Sequence, residues 1–204
     1  TKGTVLYHGK DITNKSANKI CRLGIARTFQ NIRLFKELSV IENVMVGLHF
    51  KTGNSPMKGR LLAAITSYIK AGEEYERMHE SASKWLEFFH LTQFENDLAR
   101  NLPYGHQREL EIARALATDP TLLFLDEPAA GMNPSETDSL MKTIRRIRDL
   151  GITVVLIEHD MKLVMNICDT ITVLNYGQNI AQGTPEQIRN NPQVIEAYLG
   201  KEEA

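Results

Sequence analysis

The sequence predicts an α/β layer fold built on a parallel sheet, with a helical subdomain set into it. Thr121-Leu122-Leu123-Phe124-Leu125 and Ile152-Thr153-Val154-Val155-Leu156-Ile157 are short continuous apolar runs with a helical pattern between them. Strands buried on both faces and alternating with helices belong to parallel sheets. From about Val40 to Leu98 the character changes: apolar residues recur at helical spacing and charged residues fill the gaps.

Taken in order, the first forty residues read as short strands and turns. These are Thr4 to Tyr7, a turn at Gly9, a polar stretch through Lys19, and a mixed strand from Gly24 to Gln30. Gly53, Pro56 and Gly59 mark a loop. Beyond it Leu61, Ile65, Tyr68 and Ile69 repeat at helical spacing, as do Tyr75, Met78, Trp85, Leu86 and Phe89. Leu110, Ala113, Leu116 and Ala117 give the next helix one apolar face, closed by Asp119-Pro120. After the first apolar run, Asn133 supplies an N-cap, with Pro134 at the first helical position and Glu136 at the third. Leu140, Ile144 and Ile147 continue that helix and Gly151 stops it. The tail holds a hairpin, Thr170 to Asn175 and Gln178 to Gln182 with Gly177 at the turn, then a capping box, Thr184 to Gln187, opening a last helix.

The 204 residues carry 24 Lys plus Arg and 25 Asp plus Glu, a formal net charge of −1. At about 150 residues per domain, this length suits one domain with a sizeable insert. Hydrophobic residues at 42% and charged residues at 24% are ordinary globular usage, which excludes disorder and collagen-like structure. The balanced charge argues against a nucleic-acid partner, which calls for a basic excess. Cys21 and Cys168 lie far apart without metal-ligand spacing and read as reduced thiols of a cytosolic protein. The apolar run from Leu61 to Ile69 falls far short of the ~20 residues of a membrane span, and Thr1 to Lys10 lacks the layout of a signal peptide.

The chemistry concentrates at Asp126-Glu127-Pro128, where an apolar strand delivers two carboxylates at its C-terminal edge. Ligands of open α/β sheets bind at that edge. One acid there can hold Mg²⁺, a hard ion that takes oxygen ligands and keeps much of its water. The other can orient a water for in-line attack on a phosphoryl group. Two acids alone are as consistent with a plain strand end, and the rest of the chain decides.

The order Gln30, then Leu102-Pro103-Tyr104-Gly105-His106-Gln107, then Leu122 to Glu127, then Gly131 to Pro134, then Ile157-Glu158-His159-Asp160 resembles an ATP-binding-cassette (ABC) ATPase subunit. Within that family the stretches ARTFQNIRLF, LEIARAL, LDEPAAGMNP, LIEHDMKLVM and GTPEQIRNNP are most similar to the ATP-binding subunit of bacterial branched-chain amino-acid importers. The resemblance implies a RecA-like, P-loop NTPase core, with residues 1–204 forming one partial domain. Within it, 1–39 would be the remaining N-terminal strands and Q-loop, 40–118 the helical subdomain with its signature helix, and 119–204 the core with the last helix. ATP and Mg²⁺ are the implied ligands.

Carried over residue by residue, Gln30 resembles the Q-loop glutamine that senses Mg²⁺ and the γ-phosphate, and Asp126 the Walker B magnesium acid. Glu127 resembles the general base, and Gly131 to Pro134, with Asn133 among them, the D-loop that touches a partner subunit. His159 resembles the switch histidine on the γ-phosphate; a neutral imidazole can donate to a phosphate oxygen. Leu102, Pro103, Tyr104, Gly105 and His106 stand where the family opens a helix with Leu-Ser-Gly-Gly-Gln. That helix N-terminus would face the γ-phosphate held by the opposite subunit. Pro103 has neither hydroxyl nor N–H and His106 replaces the usual Gln, so a weakened phosphate clamp is expected.

No Gly-x-x-x-x-Gly-Lys-Ser/Thr segment, which cradles the β- and γ-phosphates, occurs in these residues. In the family it precedes the Thr1-to-Thr4 opening, so the resemblance implies a chain without its Walker A segment, expected to bind ATP poorly by itself. The implied assembly is a homo- or heterodimer of ATPase subunits with membrane permease subunits, served indirectly by a periplasmic or extracellular solute-binding protein. It would sit peripherally on the cytoplasmic face of the membrane. The competing expectations are a non-transport ABC ATPase and a catalytically incompetent fragment acting as an interaction module. A DNA-directed version calls for a long coiled-coil insert or a basic face, and neither is visible between Val40 and Leu98.

Overall fold

The structure, a computed structural model, describes residues 3–52 and 62–199, with side chains described for 3–48 and 72–198. The loop expected at Gly53, Pro56 and Gly59 and the helical position of Leu61 lie outside the described residues, as do the side chains of Ile65, Tyr68 and Ile69.

A small hairpin opens the chain, β1 (Leu6–Tyr7) and β2 (Lys10–Asp11), turned by His8 and Gly9, both at positive φ. The polar stretch then forms a short helix, α1 (Ala17–Cys21), which the sequence pattern had not suggested. It buries none of its residues, so no apolar face announces it. β3 (Ile25–Arg27) is shorter than the strand expected through Gln30. Its pairing ends at Arg27 opposite Phe124, and the Thr28 N–H makes a last bond to the Phe124 carbonyl.

The helical layer holds α2 (Val40–Thr52), α3 (Leu62–Phe88) and α4 (Tyr104–Leu116). Ser39 and Glu42 start α2 with a reciprocal capping pair at 2.7 and 3.3 Å. Along α3, Leu86 is buried, Trp85 and Met78 pack on the core edge, and Tyr75, expected among them, is exposed. Then follow β4 (Leu122–Asp126), α5 (Pro134–Asp149), β5 (Thr153–Ile157) and α6 (Met161–Ile167). The expected Asn133 cap on α5 is complete: Oδ1 accepts the Glu136 N–H at 3.0 Å and Glu136 accepts the Asn133 N–H at 2.8 Å. The hairpin β6 (Ile171–Asn175) and β7 (Gln178–Gly183) turns on Tyr176 and Gly177, both at positive φ as a tight hairpin turn needs. The short helices α7 (Pro185–Arg189) and α8 (Pro192–Val194) follow, with Thr184 and Gln187 forming the predicted box.

Strands β3, β4 and β5 form a parallel sheet in that order, with Leu122 opposite Ile25 and Thr153. Leu123 and Leu125 are fully buried against the helices, in one cluster with Val44, Leu110, Leu116 and Ile147. A second core under α6 joins Leu163, Ile171, Val173 and Ile188. Burial of β5 on both faces, expected from its apolar run, is not what the structure has. Val154 and Leu156 pack on the core, whereas Val155 is 36% and Ile157 46% exposed. Among the described residues the helices cover one face of this strand.

Candidate functional site

Three loops leave the C-terminal edge of the parallel sheet, after β3, β4 and β5, and they bring four of the predicted residues together. Asp126 ends β4, and Glu127 follows with φ +44, a left-handed backbone that non-glycine residues adopt rarely. Consecutive strand residues point to opposite faces, and this residue breaks the alternation just past the strand. The conformation costs ~1–3 kcal/mol. It is held by the Glu127 N–H donating to the Ile157 carbonyl at 2.9 Å and by the Ala130 N–H reaching the Glu127 carbonyl at 3.2 Å.

From the loop after β3, Gln30 Nε2 donates to Glu127 Oε2 at 2.8 Å. Arg27, on the same strand, places Nη2 2.7 Å from Asp126 Oδ2. His159, 75% exposed, brings Nδ1 within 3.9 Å of Glu127 Oε1. The side chain of its neighbour Glu158 is buried; Oε1 accepts the Ala129 N–H at 3.0 Å and Oε2 the His159 N–H at 3.2 Å. One carboxylate thus pins the loop after β4 to the loop after β5.

The remaining candidates gather where α4 meets α5. Leu102 is buried and its carbonyl accepts from Gln107 Nε2 at 2.8 Å. Pro103 occupies the N-cap of α4 without a side-chain cap bond, and the helix begins at Tyr104. The Tyr104 ring lies over Gly131 (φ +78), where an added Cβ would sit 3.4 Å from it. Gly105 lies against Glu136; a Cβ there would meet Oε1 at 3.3 Å, a tight contact. His106 Nδ1 is 2.8 Å from Glu109 Oε2, and Asn133 is committed to its cap. Pro103, Gly105, His106, Glu109, Ser135 and Glu136 line part of an open cleft of about 190 Å³.

Sequence reasoning missed the residues that tie these groups together. Arg27 ends β3, and its place on Asp126 depends on a pairing 99 residues apart. Arg108 and Glu111 form a buried ion pair on α4 at 2.8 Å, and Arg108 also donates to the carbonyls of Phe29 and Gln30. Opposite charges three apart inside an apolar helix face were the available signal.

An α/β sheet ending in adjacent carboxylates, capped by a helical layer, is the architecture of a P-loop NTPase-like cassette. The solved structure of the ADP conformation of an ATP-binding cassette of an ABC transporter is similar at a TM-score of 0.77 and 31% identity, covering 98% of this chain and 78% of that one. Residues 1–130 match the ABC transporter family, and 178–204 match the branched-chain amino acid ATP-binding cassette transporter family. The chain is 49% identical to the high-affinity branched-chain amino acid transport ATP-binding protein BraF of Pseudomonas aeruginosa, across 98% of this chain and 77% of that protein. It is 47% identical, with the same coverage, to the high-affinity branched-chain amino acid transport ATP-binding protein LivG of Escherichia coli K12. The chain belongs to the ABC transporter family, as an ATPase subunit. No helix among the described residues is long and apolar enough to cross a membrane.

Proposed function

We propose that the intact gene product is the ATP-binding and ATP-hydrolysing subunit of a membrane importer for branched-chain amino acids, coupling ATP-driven closure of two such subunits to motion of a permease. The observation that carries the reading is the 49% identity, over 98% of the chain, to a transport ATP-binding protein of that specificity. In this reading a water oxygen attacks the γ-phosphorus of ATP, its proton passes to the Glu127 carboxylate, and ADP leaves. Gln30, hydrogen-bonded to Glu127, fixes the direction of that carboxylate, and the His159 imidazole donates to a phosphate oxygen. The N-terminus of α4, 13 residues long, offers backbone N–H groups to the phosphate bound by the opposite subunit.

The residues at the sheet edge fit Mg²⁺. Asp126 already faces a cation, the Arg27 guanidinium, and the carboxylate with the Gln30 amide oxygen is a hard, oxygen-only donor set. Mg²⁺ usually keeps several waters and takes phosphate oxygens rather than an all-protein cage. When bound, the ion would neutralise phosphate charge.

The partners are a second ATPase subunit across the α4 face and Asn133, and permease subunits at the cytoplasmic face of the membrane. The solute-binding protein acts on the far side. The test is ATP hydrolysis and radiolabelled leucine uptake by the intact gene product assembled with its permease in vesicles. Glu127→Gln should lower hydrolysis by about 10²–10⁴-fold and abolish uptake while ATP still binds. Hydrolysis without leucine uptake would point to a non-transport ATPase, and Glu127→Gln at the parent rate would remove Glu127 from the chemistry.

A further inference from the structure

The loop that carries Gln30 loses the support of the sheet after Thr28. Its next backbone groups are held by side chains of α4. Arg108 donates from Nη1 to the Phe29 carbonyl and from Nη2 to the Gln30 carbonyl, both at 2.7 Å. Nη1 also bonds Glu111 Oε2 at 2.8 Å, and Glu111 Oε1 accepts the Arg33 N–H at 3.0 Å. The Arg108 side chain is fully buried and that of Glu111 is 2% exposed.

A buried ion pair is expensive to desolvate, and its partners must be fixed and well aligned. Here the partners are backbone groups of a loop 78 and 79 residues away. The planar guanidinium fork holds two carbonyls and a carboxylate in a single geometry. Arg108 Nε is buried and without a hydrogen-bond partner among the described residues. The guanidinium is therefore oriented for the loop and leaves one of its own donors unused, which is unusual for a buried group.

We infer that Arg108, locked by Glu111, is a positioning residue that ties the backbone of Gln30 to α4 and so sets the reach of the Gln30 amide to the Glu127 carboxylate. The inference rests on the roles proposed for Gln30 and Glu127. Arg108 lies one turn beyond Tyr104, the first residue of α4, so any displacement of that helix end carries Gln30 with it. The two groups of site residues then move as one.

The test compares Arg108→Lys, Gln30→Ala and the double variant in the subunit assembled with its transporter. Lysine offers a compact charge that cannot hold both carbonyls and the carboxylate. Arg108→Lys should lower kcat roughly 10- to 100-fold with KM for ATP changed by no more than about twofold. Added to Gln30→Ala it should cost almost nothing further, because it acts through that side chain. Losses that multiply in the double variant overturn the inference. Hydrogen exchange of the 29–33 amides reads the clamp whether or not the protein hydrolyses ATP. Arg108→Lys should speed exchange there and leave β4 and β5 unchanged, and unchanged exchange at 29–33 also overturns it. A parent subunit without hydrolysis sinks the proposed function and leaves the exchange result to decide the clamp. Should Arg108→Lys lose cooperative melting, Glu111→Gln, which keeps an oxygen for the Arg33 N–H, enters the same cycle under the same criteria.

Discussion

Gly47 lies inside α2, a helix of 13 residues, where propensity alone favours alanine by ~1 kcal/mol. Its neighbours reverse that preference. A Cβ at Gly47 would run into the backbone carbonyl oxygen of Arg114 and approach Ala117 Cβ to 3.0 Å, both across the contact between α2 and α4. A flexible side chain could swing aside, but a helix carbonyl cannot, so α2 and α4 must separate. Overpacking of this kind costs ~1–3 kcal/mol, and a backbone obstacle places it at the upper end. Set against the ~1 kcal/mol of propensity, Gly47→Ala should destabilise by about 2 kcal/mol. For a chain of this length that lowers the thermal midpoint by roughly 4–8 °C. The single tryptophan, Trp85, packs against the same core and reports the melt by fluorescence. Gly72 on α3 is the control. A Cβ there meets nothing within 4 Å, so Gly72→Ala should raise the midpoint by about 2–4 °C. If Gly47→Ala raises it as well, close approach of the two helices is not what requires glycine, and the reasoning fails.

Two further substitutions separate stability from activity and from titration. Pro103→Ser gives α4 a capping hydroxyl, a gain of ~1 kcal/mol, and loses ~0.4–1 kcal/mol of restriction on the unfolded chain. The melt should therefore scarcely move while ATP hydrolysis rises; an unchanged rate would sink the view of Pro103 as a weak phosphate clamp. Burial, with Asp169 beside it, pushes the Cys168 thiol above the ordinary value of 9.0. The folded chain then holds that proton more tightly than the unfolded one, so the contribution is complete below pH 9.0 and fades as pH rises through the folded pKa. The midpoint should fall more steeply with pH above 9.0 in the parent than in Cys168→Ala, and iodoacetamide should modify Cys168 more slowly than free cysteine at pH about 8. Equal slopes would contradict the shift.

The features legible in the sequence were those specified within a few residues. The Asn133 and Thr184 capping boxes, the tight turn at Gly177 and the apolar runs of β4 and β5 each follow from near neighbours, and each formed where expected. The Asp126-Glu127 pair was legible for the same reason, as two acids terminating such a run. The left-handed backbone of Glu127 was not, since it is imposed by the Ile157 carbonyl on the neighbouring strand.

Arg27 and Arg108 show why the site itself was only half readable. Each is one of 24 basic residues, and an Arg followed three positions later by Glu occurs on many solvated helices. What distinguishes Arg108 is complete burial, which a helix period can suggest but not establish, and carbonyl partners 78 and 79 residues away. For a surface pair those contacts would contribute almost nothing. In the interior, loss of either partner leaves an uncompensated charge, a cost of ~3–5 kcal/mol. Burial therefore turns an ordinary ion pair into a constraint on the loop between β3 and α2. The same constraint holds Gln30, a residue whose sequence context indicated a role but not what keeps it within 2.8 Å of Glu127.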